Sequence, residues 1–234
     1  MHIISDRRVN LQMPENQAHG KTWERDIAIN IFKVNDAELD AISHTARFDI
    51  PANVNHLDGI DVSIKVAGGD SVDMGDILRR YDETHSGKPY HMIVVMWTQV
   101  NPTTKKVMGI TEVDLTNSGS LIFGTATRER VEAFDTYVKS IPKNGRTTQH
   151  QETYKRMAAD LKKECGGWIS YAPKVDSKGQ RRVQGRISKF RQFVKENPTR
   201  VIAESETCDF RGGKICDEII SPPRVRQKKK ATDL

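Results

Sequence analysis

The chain has 234 residues, 36% of them hydrophobic and 29% charged, and a net charge of +6. That length suffices for one large domain or for a core with a smaller attachment. No apolar run approaches the roughly 20 residues that cross a bilayer, and the first residues do not read as a secretory signal. Three scattered cysteines, Cys165, Cys208 and Cys216, argue for a reducing, intracellular compartment, cytoplasm or nucleus, and against a disulfide framework or structural zinc.

The charge is segregated. Residues 143–200 hold fifteen Lys or Arg against five Asp or Glu, a balance of +10 that leaves −4 for the remainder. Such a stretch predicts one basic surface suited to a phosphate backbone, with a merely solvated basic face as the alternative.

In chain order, residues 1–18 are a polar lead-in. A helix is predicted over 22–32, with Trp23, Ile27 and Ile31 as its buried stripe. A helical turn follows at 36–42, then a short extended piece at 48–54 that Pro51 keeps off a central position. Next comes DGIDVSIKV, residues 58–66. Its alternation puts Ile60, Val62, Ile64 and Val66 on one side of a strand and Asp61, Ser63 and Lys65 on the other. Gly68-Gly69 ends it, and 71–83 reads as a helix or turn-helix bearing Arg79 and Arg80. HMIVVMWTQ, 91–99, is almost wholly apolar, which predicts a strand buried on both faces near the middle of a sheet. Residues 106–115 return beside it by a hairpin.

Two helices are predicted at 128–141 and 148–165, then two strands flanking the turn at Asp176 and Gly179, a short helix at 188–195 and a strand at 200–203. From Ser221 the chain is proline-led and basic, and reads as disordered. The expected division is 1–125 as a catalytic core, 126–220 as a basic helix and hairpin region for DNA, and 221–234 as a tail.

Carboxylates that can hold a divalent cation, beside a lysine that can meet a phosphate or an activated water, make up the parts of a metal-dependent phosphodiesterase. A polar outer face on a half-buried edge strand is the competing explanation of Asp61, Ser63 and Lys65.

The helix GKTWERDIAINIF, the strand DGIDVSIKV and the strand HMIVVMWTQ, in that order, resemble the PD-(D/E)XK nuclease superfamily, and more closely its type II restriction endonuclease-like members. The resemblance covers residues 20–115. It implies an α/β (α+β) fold, a mixed central sheet flanked by helices, here with a C-terminal helical and β-hairpin extension. It also implies Mg²⁺-dependent hydrolysis of double-stranded DNA by a homodimer, with Mn²⁺ as a substitute metal.

In that superfamily an early helix carries a glutamate, matched by Glu24, and a strand pair carries an aspartate and an acid-x-lysine signature. Lys65 matches the lysine, and Ser63 stands where the acid belongs. Asp58 resembles the first acidic position, and Asp49 is its rival. Asp61 shares the face of Lys65 at a separation of roughly 13 Å along a straight strand. Members with Ser-x-Lys draw a carboxylate from the following helix, for which Asp73 and Asp76 are candidates. The resemblance thus assigns catalysis to Asp58, Asp61, Lys65 and Glu24, and metal to Asp58, Asp61 and Asp76. Arg79 and Arg80 are expected on phosphates flanking the cut. The hairpin with Lys174, Lys178, Arg181, Arg182 and Arg186, helped by Tyr171 and Gln184, is expected in a groove of DNA. Two other readings stay open: a junction-resolving nuclease, and a noncatalytic DNA-binding protein in which Ser63 marks a decayed site.

Overall fold

The structure, a computed structural model, describes residues 15–220 apart from 44, 45, 144, 177 and 178. The polar lead-in before residue 15, the basic tail and Lys178 lie outside the described residues.

The chain opens with helix α1 (Glu15–Asp26), which continues as one π-helical turn, Ile27–Ile31. The predicted stripe holds, since Trp23, Ile27 and Ile31 are all at most 1% exposed. The wider turn carries Asn30 against a hairpin near the C-terminus, where Asn30 Nδ2 donates to the Lys214 carbonyl at 2.8 Å. π-Turns inside helices are uncommon and gather at functional sites. Helix α2 (Asp36–Ala41) starts from a capping box in which Asn35 and Glu38 satisfy each other's backbone N–H. The extended piece at 48–54 reduces to one antiparallel bridge, Ile50 with Val62.

Strand β1 (Asp61–Ala67) pairs in parallel with β3 (Tyr90–Asn101). Between them lie β2 (Val72–Asp76) and helix α3 (Ile77–His85). The segment 71–83 therefore begins as a strand rather than as helix or turn. Val72 and Met74 alternate into the core, Gly75 takes φ +81° at the bend, and Asp76 accepts from Arg79 N to cap α3. β3 turns into β4 (Thr104–Asp114) as an antiparallel hairpin, so β3 is the central strand that its unbroken apolar run requires.

Helices α4 (Gly119–Phe123), α5 (Arg128–Ser140) and α6 (Thr148–Cys165) follow. A second sheet, in the order β2-β6-β5, is completed by the predicted hairpin of β5 (Ile169–Val175) and β6 (Arg181–Ile187). After helix α7 (Phe190–Glu196), β7 (Val201–Ser205) returns to the free edge of β4. The short pair β8 (Asp209–Phe210) and β9 (Gly213–Lys214) precedes β10 (Glu218–Ile220), which pairs with the other end of β4.

The result is a mixed α/β structure with a mixed central sheet flanked by helices. One face of that sheet buries Val62, Ile64, Ile93 and Val95 against Trp23, Ile27 and Phe32. The other buries Met92 and Val94 together with Phe134, Val183 and Phe193. Packing is therefore continuous across residues 125 and 126, and the last described strands build the sheet that the first strands begin. Among the described residues no helix is long and apolar enough to cross a membrane.

Candidate active site

β1 lies at the margin of its sheet, and that margin organises the site. Ile50 bridges Val62 through a reciprocal pair of backbone hydrogen bonds of 3.0 and 2.9 Å. Past this bridge no strand among the described residues continues the pairing, and a side chain does so instead. Asp49 Oδ2 accepts from the Ile64 backbone N–H at 2.6 Å and from Lys65 Nζ at 3.3 Å. Lys65 Nζ also donates to the Ile64 carbonyl at 2.9 Å. The lysine is thereby curled over the strand margin next to the aspartate, and both are mostly buried, with side chains 21% and 35% exposed.

Helix α1 brings Glu24 to the same place. Its carboxyl is raised from the usual carboxylate range to about 7, first by burial and then by the negative charge of Asp49, with Lys65 and Lys21 opposing. Burial, the larger cause, and the neighbouring carboxylate both disfavour the charged form of Glu24. A cation would favour that charged form, and Glu24 with Asp49 offers the hard oxygen donors that Mg²⁺ prefers. Both hydrogen bonds of Asp49 fall on Oδ2, which leaves Oδ1 as the donor for such an ion. The residues fit the ion.

Behind Asp49 stands a layer of buried charge. Arg80 is 0% exposed, its Nη1 2.7 Å from Glu83 Oε2 and its guanidinium 4.9 Å over the Tyr90 ring. Burial lowers the Arg80 pKa, while Glu83 and, more weakly, Asp49 favour its charge. Arg47 and Arg79, each about half exposed, reach Glu83 Oε1 at 3.1 and 3.9 Å. They supply positive charge beside the carboxylates.

A second charged cluster involves Asp58. One oxygen of Asp58, a ring nitrogen of His91 and one oxygen of Glu112 lie within 4.8 Å of one another. Arg211, however, reaches Asp58 Oδ2 at 2.9 Å and both Glu112 oxygens at 3.0 Å, while His91 Nδ1 is 2.8 Å from Glu112 Oε1. The guanidinium holds the position and the charge that a cation would take, so the donors are already spent.

Of the expected catalytic residues, Glu24 and Lys65 therefore come together, and Asp49 joins them in place of Asp58. Asp61 is turned to another task, its Oδ1 accepting from Ala52 N at 2.8 Å to hold the 51–55 turn. Asp76 caps α3, and Asp73 binds Gly75 N on the second sheet. Ser63 is 1% exposed and supplies no charge. The choice between Asp49 and Asp58 depends on which way the 51–60 loop folds back, which residue spacing does not encode.

The basic residues divide in the same way. Arg80 is buried and so is not presented to DNA. Arg181 is not presented either, since it donates to the carbonyls of Ile141, Pro142 and Lys143 and closes the end of α5. Tyr171 faces the core, 6% exposed. Lys174, Arg182, Gln184 and Arg186 point to the solvent side of the second sheet. Gln99 holds its own hairpin turn through Asn101 O and Thr104 O. A cleft of about 640 Å³ between β4, β7 and α7, lined by Met96, Met108, Arg191 and Glu204, shares no residue with the Glu24 cluster. Comparison with protein-family models, with curated proteins and with solved structures gives no match to this chain.

Proposed function

We propose that the chain is a Mg²⁺-dependent endonuclease of the PD-(D/E)XK restriction-endonuclease-like type. It hydrolyses phosphodiester bonds in double-stranded DNA and acts as a homodimer, because cutting both strands of a symmetric site is most simply done by two copies of one site. The observation that carries the reading is the meeting of Glu24, Asp49 and Lys65 at the margin of β1. A helix glutamate, an aspartate on a bridged strand pair and a lysine on the partner strand are the parts the resemblance implies.

When bound, Mg²⁺ supplies charge neutralisation at the scissile phosphate and acidifies the attacking water. The rest falls to the chain. Asp49 fixes the Lys65 ammonium through Oδ2, so that Nζ stands ready to orient the water and offset charge on the phosphate. Arg47 and Arg79 hold the phosphates flanking the cut. A second reading, a noncatalytic DNA-binding protein, has its support in the neutral, buried Ser63 at the usual acid position.

Incubating a long mixed-sequence duplex with Mg²⁺ and either wild type or Lys65→Ala separates these. Discrete bands from wild type that vanish in the variant are the expected result. A smear lost in the variant keeps the nuclease and removes sequence selectivity. Cleavage of a four-way junction offered in parallel, with the duplex left whole, favours the resolvase alternative. Binding without cleavage by both proteins, with Mg²⁺ or Mn²⁺, overturns the enzyme in favour of the binding protein.

A further inference from the structure

The outer face of the second sheet carries a row of side chains whose chemistry is that of base recognition. β6 is its central strand, with β2 on one side and β5 on the other. Val183 and Ile187 point into the core at 0% exposure, so Arg182, Gln184 and Arg186 stand together on the opposite face. Their cross-strand neighbours on β5 are Lys174, Ala172 and Ser170. Two of these three are small, so the row stands above its surroundings.

The row is braced. With the Gln184 amide in the orientation that satisfies its neighbours, its nitrogen donates to Asp73 Oδ2 at 3.1 Å and its oxygen accepts from Arg182 Nη2 at 3.1 Å. Arg186 Nε lies 4.0 Å from the same Asp73 oxygen, and Asp73 Oδ1 is fixed by Gly75 N at 2.9 Å. Each reader spends only part of its capacity on this ladder. A guanidinium has five N–H groups, and an amide keeps a second N–H and a second lone pair. The ladder holds the side chains side by side and leaves donors and acceptors aimed outward.

We infer that this face reads base edges in the major groove of double-stranded DNA, with Arg182, Gln184 and Arg186 as the specificity residues and Asp73 as their positioning residue. This rests on the DNA reading proposed above and names the part of the molecule that chooses the sequence. Alternate residues of a strand are about 6.8 Å apart, which is two steps of a duplex at about 3.4 Å per base pair. Arginine pairs with the two acceptors of guanine, and glutamine with the donor and acceptor of adenine. The row therefore selects guanine at its two ends and adenine between them, each two base pairs from the next. Positive charge for the neighbouring phosphates lies at the hairpin end, where Lys174 stands across from Arg182 and Arg146 donates to Val175 O. Duplex RNA does not fit, because its major groove is too deep and narrow for side chains to read.

The test is selection of bound duplexes from a random-sequence DNA library, using the full chain with chelator present so that no cleavage is needed. Wild type is expected to enrich one short sequence. Gln184→Ala should relax a single position, with discrimination there falling on the order of 10- to 100-fold. Arg182→Lys keeps the charge but loses the planar fork, so it should relax a position two base pairs away and leave the salt dependence of binding unchanged. Enrichment of the same sequence by both variants, no enrichment by wild type, equal competition by duplex RNA, or a uniform loss with a shallower salt slope would each overturn the inference. The two proposals fail separately. Sequence-selective binding without cleavage removes the nuclease and keeps this face, and unselective cleavage does the reverse.

Discussion

Two charged clusters share the surroundings of one strand, and they solve opposite problems. Around Asp58, the carboxylates of Asp58 and Glu112 are met by the Arg211 guanidinium and the His91 ring at 2.8–3.0 Å. Around Asp49, a second carboxylate, Glu24, is pressed into the same partly buried space with Lys65 as the nearest cation, and its protonation midpoint rises to about 7. The first cluster is complete without a ligand. The second holds a carboxyl whose charged form burial and a neighbouring carboxylate disfavour, and which a bound cation would favour. Acidic residues near one another do not by themselves mark a metal site, because the position of the nearest guanidinium decides whether they need an ion.

The comparison can be broken by four measurements. The largest effect is expected from Arg211→Met, which leaves Glu112 buried at 0% exposure with His91 and the Asp58 carboxylate beside it. Removing one partner of a buried pair costs about 3–5 kcal/mol. Thermal melting should fall accordingly, while DNA cleavage per folded molecule stays unchanged. Asp49→Asn should do the reverse. The amide oxygen still accepts from Ile64 N, so melting is kept, but cleavage drops by about 10²–10³-fold, the size of a lost electrostatic contribution at a reacting centre. Asp58→Asn belongs with Arg211→Met, and a cleavage loss there as large as for Asp49→Asn would collapse the distinction.

The third effect depends on pH. Glu24 binds its proton more tightly in the folded chain, with a midpoint near 7 against 4.5 as the ordinary value. The folded state therefore holds more protons between these values, and stability falls as pH rises through that window. Glu24→Gln should melt as wild type does at pH 4 and above it at pH 8, by at most about 3 kcal/mol. A gain that is equal at both pH values would show that the Glu24 charge is not at issue. The smallest effect is that of the ion itself. At pH 7.5, Mg²⁺ at ten times its Kd should stabilise wild type by about 1.4 kcal/mol, seen as a rise in melting temperature absent in Asp49→Asn.

Much of the fold was legible because its strongest signals are periodic. The apolar run of β3 and the stripes of α5 and α6 each leave one way to bury their side chains, whereas β1, expected to bury one face, buries Ser63 on its other face as well. β2 was not legible, since five residues with two buried positions weigh little beside the helix they precede. At the candidate site, Glu24 and Lys65 were singled out by a resemblance, whereas Asp49 competed with Asp58 until the 51–60 loop placed one at each cluster. The anchoring of Arg181 follows from partners 38–40 residues away, which no local pattern encodes.

The helix that presents Glu24 is held from the far end of the chain. Trp23 Nε1 donates to the Cys216 carbonyl at 2.8 Å, the Cys216 N–H donates to Asp26 at 2.8 Å, and Gly213 has no room for a side chain against Asn30. The position of α1, and with it Glu24, is thus tied to a segment 190 and 193 residues further along the chain. Removing residues 213–216 would leave every residue of the cluster in the chain but take away these three contacts of the helix.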